Sequence, residues 1–491
     1  MKLYEMKFDR RFSTSLRRKL YLPAAEMDFA HSFIGDKRSD LYPVLNSDGK
    51  IAEAVEGGVY SARSFSGGEV TRLIGSFFPY YTYSFEIEWL HSAEVGLELI
   101  HGKRLLSALC SENGAEVIFR GESILSVRTD FKPKDVFSVT FRAGGISLYR
   151  TRDGYEALIG DVCDKEFASA ITDIEGGGLN DLLYEDFYKS TDAGMLVRLR
   201  EGGEAGVSAV TARLYSGIGT ADIRPIKYAD GTPIIEDGRV FLTASARLET
   251  GCYQCILSWL PTTCDFKMEG ALFFDVGDKM TANDVASTII YDKENSKWYI
   301  WYCSFSHGHV LARAALDSDP RRGIHIIDAI PMQTREGASL SDFVGVTGDE
   351  DPDLVKIDGI WHLSVCRHEG DGYHYYHFTS RDPLDGFTLA DRTEGAEKTG
   401  GSFVKLDGEY YFACGSDFKK RAVYEIYGIN DFKTPHKASH RHDDGGFRGW
   451  GSIFAIPSGT RNRVFHITFD RFLTSKKWNW SYGNIYVFEA E

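Results

Sequence analysis

Apolar and polar positions alternate with a period of two through much of residues 57–222, and short turns interrupt the alternation roughly every 10 to 15 residues. Successive side chains of a β-strand point to opposite faces, so this pattern predicts strands with one buried face. The clearest segments are 81–89, 94–100, 115–120, 136–142 and 146–150, with 208–215 as a closing strand. Regularly spaced short strands of this kind predict an antiparallel β-sandwich.

The order of strand and turn signals in this first part resembles a jelly-roll of the concanavalin or laminin-G kind. We assign residues 1–222 to this domain. Residues 1–56 have no clear pattern of their own and are placed there by default.

The second part of the chain repeats one plan five times: a small or acidic start, an apolar strand, a turn and an aromatic-rich strand. The repeats begin at Asp230, Ala286, Asp351, Gly400 and Gly451, 49 to 65 residues apart. In three repeats an Asp-Gly pair, typical of a tight hairpin, places its glycine eight residues after the start: Gly238, Gly359 and Gly408. Each repeat has the length of one four-stranded sheet, which predicts a five-bladed β-propeller over residues 223–491. The predicted fold class is therefore all-β.

Carboxylates mark several repeat starts. The first strand of each propeller blade lines the central channel, so the five starts should converge on one face. Asp230 and Asp351 hold the same repeat position, and Asp284 lies two residues before the second start, on the same side of an extended chain. Carboxylates that converge repel one another and raise a pKa, as acid–base catalysis at neutral pH requires. A single Asp would more simply begin a strand or cap a turn.

These starts resemble motifs of the five-bladed glycoside hydrolases of families 43 and 32. Residues 229–242 resemble the opening "ADP…DGxYYL" strand, 350–354 the "DP" blade, 286–302 the second blade, and 449–451 the "GHG" of the last blade. The resemblance implies that Asp230 is the base or nucleophile, and that Asp351 tunes a pKa and orients the sugar. It also implies a glutamate as proton donor in the fourth blade.

The expected proton donor of the fourth blade is missing. Thr399 stands where the family has its glutamate, and threonine has no proton to give at neutral pH. Glu397, two residues earlier, is the first replacement that we consider, Asp284 the second and His442 the third.

Substrate-binding candidates lie beside the same starts. Trp450 could form the platform on which a sugar stacks, with Arg448 next to it. Glu350 and His442 complete this set. The other aromatic residues of the repeats, such as Phe241, Trp298, Trp361 and Tyr410, are expected to pack blade against blade.

Composition excludes several classes of partner. The net charge is −15 and there is no basic stripe, which argues against nucleic acids and anionic polymers. No segment has the length of a membrane span or of a signal peptide's apolar run. The lone CxxC of Cys252 and Cys255 lacks the second pair of a zinc site. We therefore expect buried free thiols and a cytoplasmic protein.

A metal or cofactor is not part of this interpretation. His374 and His377 lie three apart and would point to opposite faces of a strand, so a shared metal is not expected. Residues 443–446 form a predicted loop for which structural calcium binding and simple solvation both remain open. The oligomeric state is left open.

The leading hypothesis is an exo-acting glycoside hydrolase for a short, neutral, furanosidic oligosaccharide. A second hypothesis is transfer to another sugar or to phosphate, which would need an anion pocket formed by residues such as Arg367, Arg441 and Arg448. The third is a sugar-binding propeller that has lost its acid, for which Thr399 is the main argument.

Overall fold

The computed structural model describes residues 1–22, 29–33, 42–163, 178–249, 251–281, 284–307, 310–332, 348–416, 423–441, 450–459, 461–469 and 484–490. In these residues the chain is almost entirely β-structure, which confirms the predicted class. The helical segments described are short: the 3-10 turns Leu3–Glu5 and Leu179–Leu183, and the helix α1 (Glu185–Tyr188). None of the described helices is long and apolar enough to cross a membrane.

Two compact units divide the chain. The N-terminal unit comprises Pro23–Glu166 and Glu175–Tyr215, and the propeller unit includes Met1–Leu22 and Ser216–Glu491. The strands up to residue 215 are β1 (Lys7–Thr14), β2 (Phe29–Ser32), β3 (Val44–Gly49), β4 (Ala52–Glu56), β5 (Val59–Arg63), β6 (Gly68–Ser76), β7 (Thr82–His101), β8 (Lys103–Ser111), β9 (Gly114–Phe119), β10 (Glu122–Arg128), β11 (Val136–Arg142), β12 (Gly145–Arg152), β13 (Tyr155–Cys163) and β14 (Asp192–Arg213).

The N-terminal unit is built around two long antiparallel strands, β7 and β14. They pair between Asp192 and Arg213, with register shifts between Leu199 and Glu204 and again between Gly206 and Ala209. Among the described residues, strands β2 to β14 form one hydrogen-bonded network of 13 strands. The predicted segments 115–120, 136–142 and 146–150 are confirmed as β9, β11 and β12, whereas 81–89 and 94–100 form the one strand β7. Strands β8 and β10 were not predicted, and the packing of two sheets into a sandwich stays a prediction.

The propeller unit continues with β15 (Gly219–Pro225), β16 (Lys227–Tyr228), β17 (Ile235–Glu236), β18 (Arg239–Arg247), β19 (Cys252–Leu260), β20 (Asp265–Asp275), β21 (Asp284–Asp292), β22 (Lys297–Ser304), β23 (Val310–Leu316), β24 (Gly323–Asp328), β25 (Ile330–Pro331), β26 (Asp349–Ile357), β27 (Ile360–Glu369), β28 (Gly372–Ser380), β29 (Thr388–Arg392), β30 (Thr399–Leu406), β31 (Glu409–Ser416), β32 (Val423–Gly428), β33 (Asp431–Lys437), β34 (Ser439–Arg441), β35 (Ser452–Ser458), β36 (Arg461–Phe469) and β37 (Ile485–Ala490).

Five sheets of the described residues form the five blades, as predicted. Blade 1 is β15-β18-β19-β20-β24 with β17 on β18, blade 2 is β16-β21-β22-β23-β25, blade 3 is β26-β27-β28-β29, blade 4 is β30-β31-β32-β33, and blade 5 is β35-β36-β37-β1-β34. The first strands β15, β21, β26, β30 and β35 are neighbours in a closed ring. They line the central channel.

Apolar clusters fill the spaces between neighbouring blades. Phe241 and Trp298 belong to the cluster between blades 1 and 2, Trp361 to that between blades 2 and 3, and Tyr410 packs on the cluster between blades 3 and 4. The prediction that these four aromatic residues pack blade against blade is confirmed. Burial of this apolar surface is the main favourable term that holds a sheet ring together.

The structure divides the chain differently from the predicted domains, both at residues 1–22 and at the predicted boundary at residue 222. Residues 1–22 were placed by default in the first domain, but β1 pairs antiparallel with β37 and parallel with β34 in blade 5. The chain termini therefore close the propeller ring together. A boundary at residue 222 would also cut through β15, the inner strand of blade 1.

Candidate functional site

The N-terminal ends of the inner strands meet at one end of the channel, which we call the entry end. The Cys252 thiol donates to the Asp284 carbonyl between blades 1 and 2, and the Cys303 thiol to the Asp349 carbonyl between blades 2 and 3. The Gly400 N–H donates to Asp351 between blades 3 and 4. The five strand starts thus surround one small area.

A repeated backbone irregularity defines which positions are equivalent. Each of β15, β21, β26 and β30 has a register shift near its start against the next strand of its blade. The residue at this bulge has a left-handed backbone in every case, with φ of 54° at Asp222, 54° at Ala286, 51° at Asp351 and 64° at Gly400. Non-glycine residues pay for this conformation, and such strain is concentrated at functional sites. Asp222 is therefore the true counterpart of Asp351.

Asp230 does not lie at the entry end, so its predicted place at the channel mouth was wrong. It follows β16 in a turn, half exposed, with its Oδ2 2.6 Å from Lys405 Nζ near the C-terminal end of β30. The Ala229 carbonyl accepts from Lys356 N near the C-terminal end of β26. We call this the far end. Burial opposes ionisation of Asp230, but hydrogen bonds from Lys405 and Thr232 hold its pKa below the ordinary value.

Asp351 is buried and firmly held at the entry end. Its Oδ2 accepts hydrogen bonds from Thr399 Oγ1 at 2.8 Å and from Gly400 N at 2.9 Å. Its Oδ1 lies 3.3 Å from Nη2 of Arg224 on β15. Asp351 is thus held in a fixed orientation at the entry end, and Thr399 is one of the groups that orient it.

Asp222 on blade 1 is partly buried and has both positively and negatively charged neighbours. Its side chain is 17% exposed and its Oδ2 lies 3.5 Å from Arg247 Nη2. Burial is the main cause that raises its pKa; Arg247 and Arg224 lower it, whereas the charge of Asp351 raises it further. Because its pKa is raised, Asp222 accepts a proton more readily than an ordinary aspartate, as a general base must.

Asp284 has the properties of a proton donor. It is 4% exposed, and its Oδ1 has no hydrogen-bond partner among the described residues. Burial raises its pKa from 3.8 to about 7, against a hydrogen bond from Ser304 and the charge of His307, which lower it. A carboxyl with this pKa carries a proton at neutral pH and can release it, which is the requirement for a general acid.

Two buried thiols indicate that the three aspartates share one region. Burial raises the pKa of Cys252 to about 12, and the charges of Asp284 and Asp222 add to this effect. Burial likewise raises the pKa of Cys303 well above its ordinary value, with contributions from Asp351 and Asp284. Asp284 therefore lies within electrostatic range of both thiols, between the carboxylates of blades 1 and 3.

Glu350 and Glu397 also lie at the entry end, as predicted. The pKa of Tyr373 is raised by burial first and then by Glu350, Asp351 and Glu397 among its neighbours. Thr399 Oγ1 is 3.5 Å from Glu350 Oε1. The structure thus brings together four of the predicted site residues, Asp284, Glu350, Asp351 and Glu397, and replaces Asp230 by Asp222.

Trp450 lies next to the site but is largely covered. It is 8% exposed, and its ring stacks on Phe469 with centroids 5.8 Å apart. A Cβ at Gly400 would come within 2.8 Å of Trp450 Cδ1, so the indole packs directly on this glycine. Arg448 and His442, the other predicted binding residues, lie outside the described residues, as does the predicted loop 443–446.

A buried ion pair below the entry end was not anticipated from the sequence. Asp353 accepts from Lys227 Nζ at 2.8 and 2.9 Å, from Thr288 Oγ1 at 2.7 Å and from Phe403 N at 2.6 Å. These partners come from different blades, so Asp353 must lie near the channel axis. The pair links blades 2 and 3 below the entry end. The Asp-Pro-Asp sequence at 351–353 was the available signal.

One trio of side chains at the entry end has metal-ligand proximity. Ligand atoms of Glu350, Asp351 and Cys366 lie within 4.8 Å of one another. The Cys366 thiol donates to the Lys398 carbonyl at 3.1 Å, and burial raises its pKa well above the ordinary value. A protonated thiol is a poor metal ligand. We assign no metal to these three residues.

Comparisons with known proteins give likeness at the level of structure. No protein-family model matches the sequence, and no curated protein matches it. Among solved structures, the chain is similar to the catalytic domain of the Coprinopsis cinerea GH62 α-L-arabinofuranosidase (TM-score 0.38, 13% identity, 55% of this chain and 90% of that chain). A thermostable family-43 glycoside hydrolase gives a TM-score of 0.38 and 16% identity over 55% and 88% of the two chains. Bacillus subtilis levansucrase gives 0.38 and 14% over 55% and 83%.

These three structures are glycoside hydrolases or a related sugar enzyme by their names. With TM-scores below 0.5, the likenesses carry no argument about what this chain does. The function is therefore argued from the residues at the entry end.

Proposed function

We propose that the propeller unit is a glycoside hydrolase that acts on the end of a short, neutral, furanosidic oligosaccharide. The observation that carries the proposal is Asp284, a buried carboxyl with a pKa of about 7, in the same ring as the carboxylates Asp222 and Asp351. Glycoside cleavage needs one carboxyl that donates a proton and one that acts as base or nucleophile.

In this proposal Asp284 protonates the departing glycosidic oxygen. Asp222 assists attack at the anomeric carbon, as the base that activates water or as the nucleophile. Asp351, held by Arg224 and Thr399, orients the sugar and adds the negative charge that raises the pKa of Asp222.

The shape and charge of the entry end support the substrate class. The Asp353–Lys227 pair lies below the site near the channel axis, where a long polymer passing through would have to displace it, so the end of a chain suits the site better. The carboxylates at the mouth disfavour an anionic substrate. Furanose specificity is the part of the proposal that follows from the family resemblance alone.

Phosphorolysis has less support from the described arginines. Arg367 is engaged by Asp349, with Nε–Oδ1 and Nη2–Oδ2 distances of 2.8 Å, and Arg224 lies against Asp351. An incoming phosphate would have to displace these carboxylates. The proposal therefore has water as the acceptor.

The test is hydrolysis of aryl furanosides and of short furanosidic oligosaccharides by four forms of the full chain. Asp222→Asn should lower kcat/KM by roughly 10³ on both substrate types, in line with a base or nucleophile. Asp284→Asn should damage oligosaccharide cleavage far more than 2,4-dinitrophenyl glycoside cleavage, because dinitrophenolate leaves without a proton. Asp230→Asn, at the far end, is the matched control and should keep wild-type activity.

Other outcomes would redirect the assignment. A selective loss of oligosaccharide cleavage in Glu397→Gln, with none in Asp284→Asn, would make Glu397 the donor. Sugar binding without turnover by the wild-type chain would refute hydrolysis and favour the sugar-binding propeller. A product that forms only with added phosphate would favour phosphorolysis.

A further inference from the structure

A chain of hydrogen bonds connects the buried Asp284 carboxyl to the protein surface. The Ser304 hydroxyl hydrogen-bonds the carboxyl from the neighbouring strand β22. Ser304 Oγ is 2.8 Å from Nδ1 of His307, and Nε2 of His307 is 2.7 Å from Oδ2 of Asp278. Exposure rises outward along the chain: Ser304 is fully buried, whereas the side chains of His307 and Asp278 are 23% and 37% exposed.

The loop that carries Asp278 holds the outer end of this hydrogen-bond chain in place. The Met280 N–H donates to the other oxygen of Asp278, Oδ1, at 3.1 Å. The preceding Asp275 accepts from the N–H groups of Gly277 and Lys279, both at 2.8 Å. Asp278 is therefore presented to His307 in a fixed position, with one carboxylate oxygen for each partner.

The charges around the imidazole favour its protonated form. Burial lowers the pKa of His307, but the hydrogen bond to Asp278 and the charges of Asp284, Asp278 and Asp275 outweigh burial and raise it. Two thiols and a phenol beside Asp284 keep their protons: the pKa of Cys252 is about 12, and the pKa values of Cys303 and Tyr302 are raised well above their ordinary values. The Asp278 carboxylate adds negative charge near Asp284. His307 is thus the group in this network that can exchange a proton with Asp284 near neutral pH.

We propose that Asp278, His307 and Ser304 form a relay that returns a proton to Asp284 after each cleavage, an inference that rests on the proposed function of Asp284 as the acid. The relay applies with Asp222 as the base: Asp284 gives its proton to the leaving oxygen, and Asp222 takes a proton from the attacking water and releases it to solvent. Ser304 Oγ–H then passes its proton to the new Asp284 carboxylate and takes one from His307 Nδ1–H. The neutral imidazole keeps its Nε2–H on Asp278 and is reprotonated by solvent. The three residues position and supply the proton and do not touch the sugar.

The relay solves a problem that burial creates. A carboxyl that is 4% exposed keeps its proton at neutral pH, but water reaches it poorly once a sugar fills the entry end. A hydrogen-bonded path at the side of the pocket leaves the exchange open while substrate is bound. The Ser304 hydroxyl has the Asp284 carboxyl on one side and His307 Nδ1, 2.8 Å away, on the other, which a merely space-filling serine would not need.

The first arm of the test measures proton coupling without turnover. Imidazole NMR titration of the full chain should give His307 a pKa above the ordinary 6.5. Asp284→Asn should lower that pKa by at least about half a pH unit, because the neighbouring negative charge is gone. His325, whose ring contacts the Arg322 carbonyl at the edge of blade 1, is the internal control and should not move. An unchanged His307 titration in Asp284→Asn would overturn the relay whatever the substrate is.

The second arm measures turnover. His307→Gln should lower kcat on oligosaccharides roughly tenfold or more and leave 2,4-dinitrophenyl glycosides unaffected. It should also move the alkaline limb of kcat/KM to higher pH, because the imidazolium lowers the pKa of Asp284. Ser304→Ala should lose kcat in the same selective way and Ser304→Thr should retain it, while His325→Gln serves as the control. If the variants lost the same fraction of kcat on both substrates, and the alkaline limb of kcat/KM stayed at its wild-type pH, the network would have a structural role only. Intact titration coupling in a chain that cleaves no glycoside would refute the proposed function and leave the coupling itself established.

Discussion

Replacing Asp284 by Asn should remove a pH-dependent loss of stability from the propeller unit. The pKa of this carboxyl is raised from 3.8 to about 7 in the folded chain. Below pH 3.8 the group is protonated in both the folded and the unfolded chain. Between pH 3.8 and about 7 the unfolded chain releases the proton that the folded chain retains, so the free energy of unfolding falls as the pH rises. Above about pH 7 the loss is complete.

The size of this effect follows from the shift. About three pH units at about 1.36 kcal/mol each give about 4 kcal/mol of lost stability at pH 8, as an order of magnitude. An asparagine side chain has no such titration. Its own fixed cost, such as an unsatisfied amide, is the same at every pH and cancels when two pH values are compared.

The measurement is urea unfolding followed by tryptophan fluorescence at pH 4 and pH 8. Seven of the eight tryptophans, all but Trp89, belong to the propeller unit, so the signal reports on this unit. The stability of Asp284→Asn relative to wild type should be several kcal/mol more favourable at pH 8 than at pH 4. Asp230→Asn is the matched control; the pKa of Asp230 is lowered, so it should show no such gain. A relative stability of Asp284→Asn that is equal at both pH values would refute the burial argument, and with it the case for Asp284 as acid.

Four further predictions concern other residues of the propeller unit. Asp222→Asn should lose roughly 10³ in kcat/KM on an aryl furanoside while Asp230→Asn keeps its activity, and the reverse result would restore the far-end aspartate to the mechanism. Asp353→Asn should cost about 3–5 kcal/mol in urea unfolding because it leaves Lys227 buried without its counter-charge. Lys405→Met, which breaks a half-exposed pair, should cost less than about 1 kcal/mol by the same measurement. Removal of residues 1–14 should lower the Tm of the propeller because blade 5 loses β1, and an unchanged Tm would contradict the closure of the ring by both termini.

The five blades could be predicted because the strand pairs of a blade are local in sequence. The Asp-Gly hairpins end the inner strands of blades 3 and 4 at Gly359 and Gly408 and precede β27 and β31. The same pair at Gly238 precedes β18, which is also the second strand of its blade. The spacing of the Asp-Gly pairs therefore identified the second strands of these three blades correctly.

The inner strand of blade 1 could not be found from this alignment. Between β15 and β18 the chain leaves blade 1, and Lys227 and Tyr228 pair with β21 of blade 2 instead. The constant spacing between the start of a repeat and its Asp-Gly pair therefore pointed to the two-residue strand β17 and to Asp230 before it. Strand β1 was missed for a related reason, since its partner β37 lies at the other end of the sequence and a local pattern carries no information about that pairing.

The sequence could rank candidate acids by position but not by environment. Glu397 was preferred to Asp284 because it stands two residues before Thr399. The feature that separates Asp284 is its desolvation: Asp284 is buried, whereas Glu397 is partly exposed, and this depends on how blades 1 and 2 pack around Asp284. Neither burial nor the Ser304–His307 connection is visible in residue spacing.

Thr399 stands where the family resemblance implied a proton donor, and its hydroxyl donates to Asp351. This position therefore orients a carboxylate. A glutamate there would add a negative charge beside Asp351 and Glu350, which already lie close to Thr399. Because the inner strands are related by the propeller ring, a donor on blade 2 can face the same pocket as a donor on blade 4. The loss of one acid therefore does not by itself mean the loss of catalysis, provided that Asp284 keeps its proton at neutral pH.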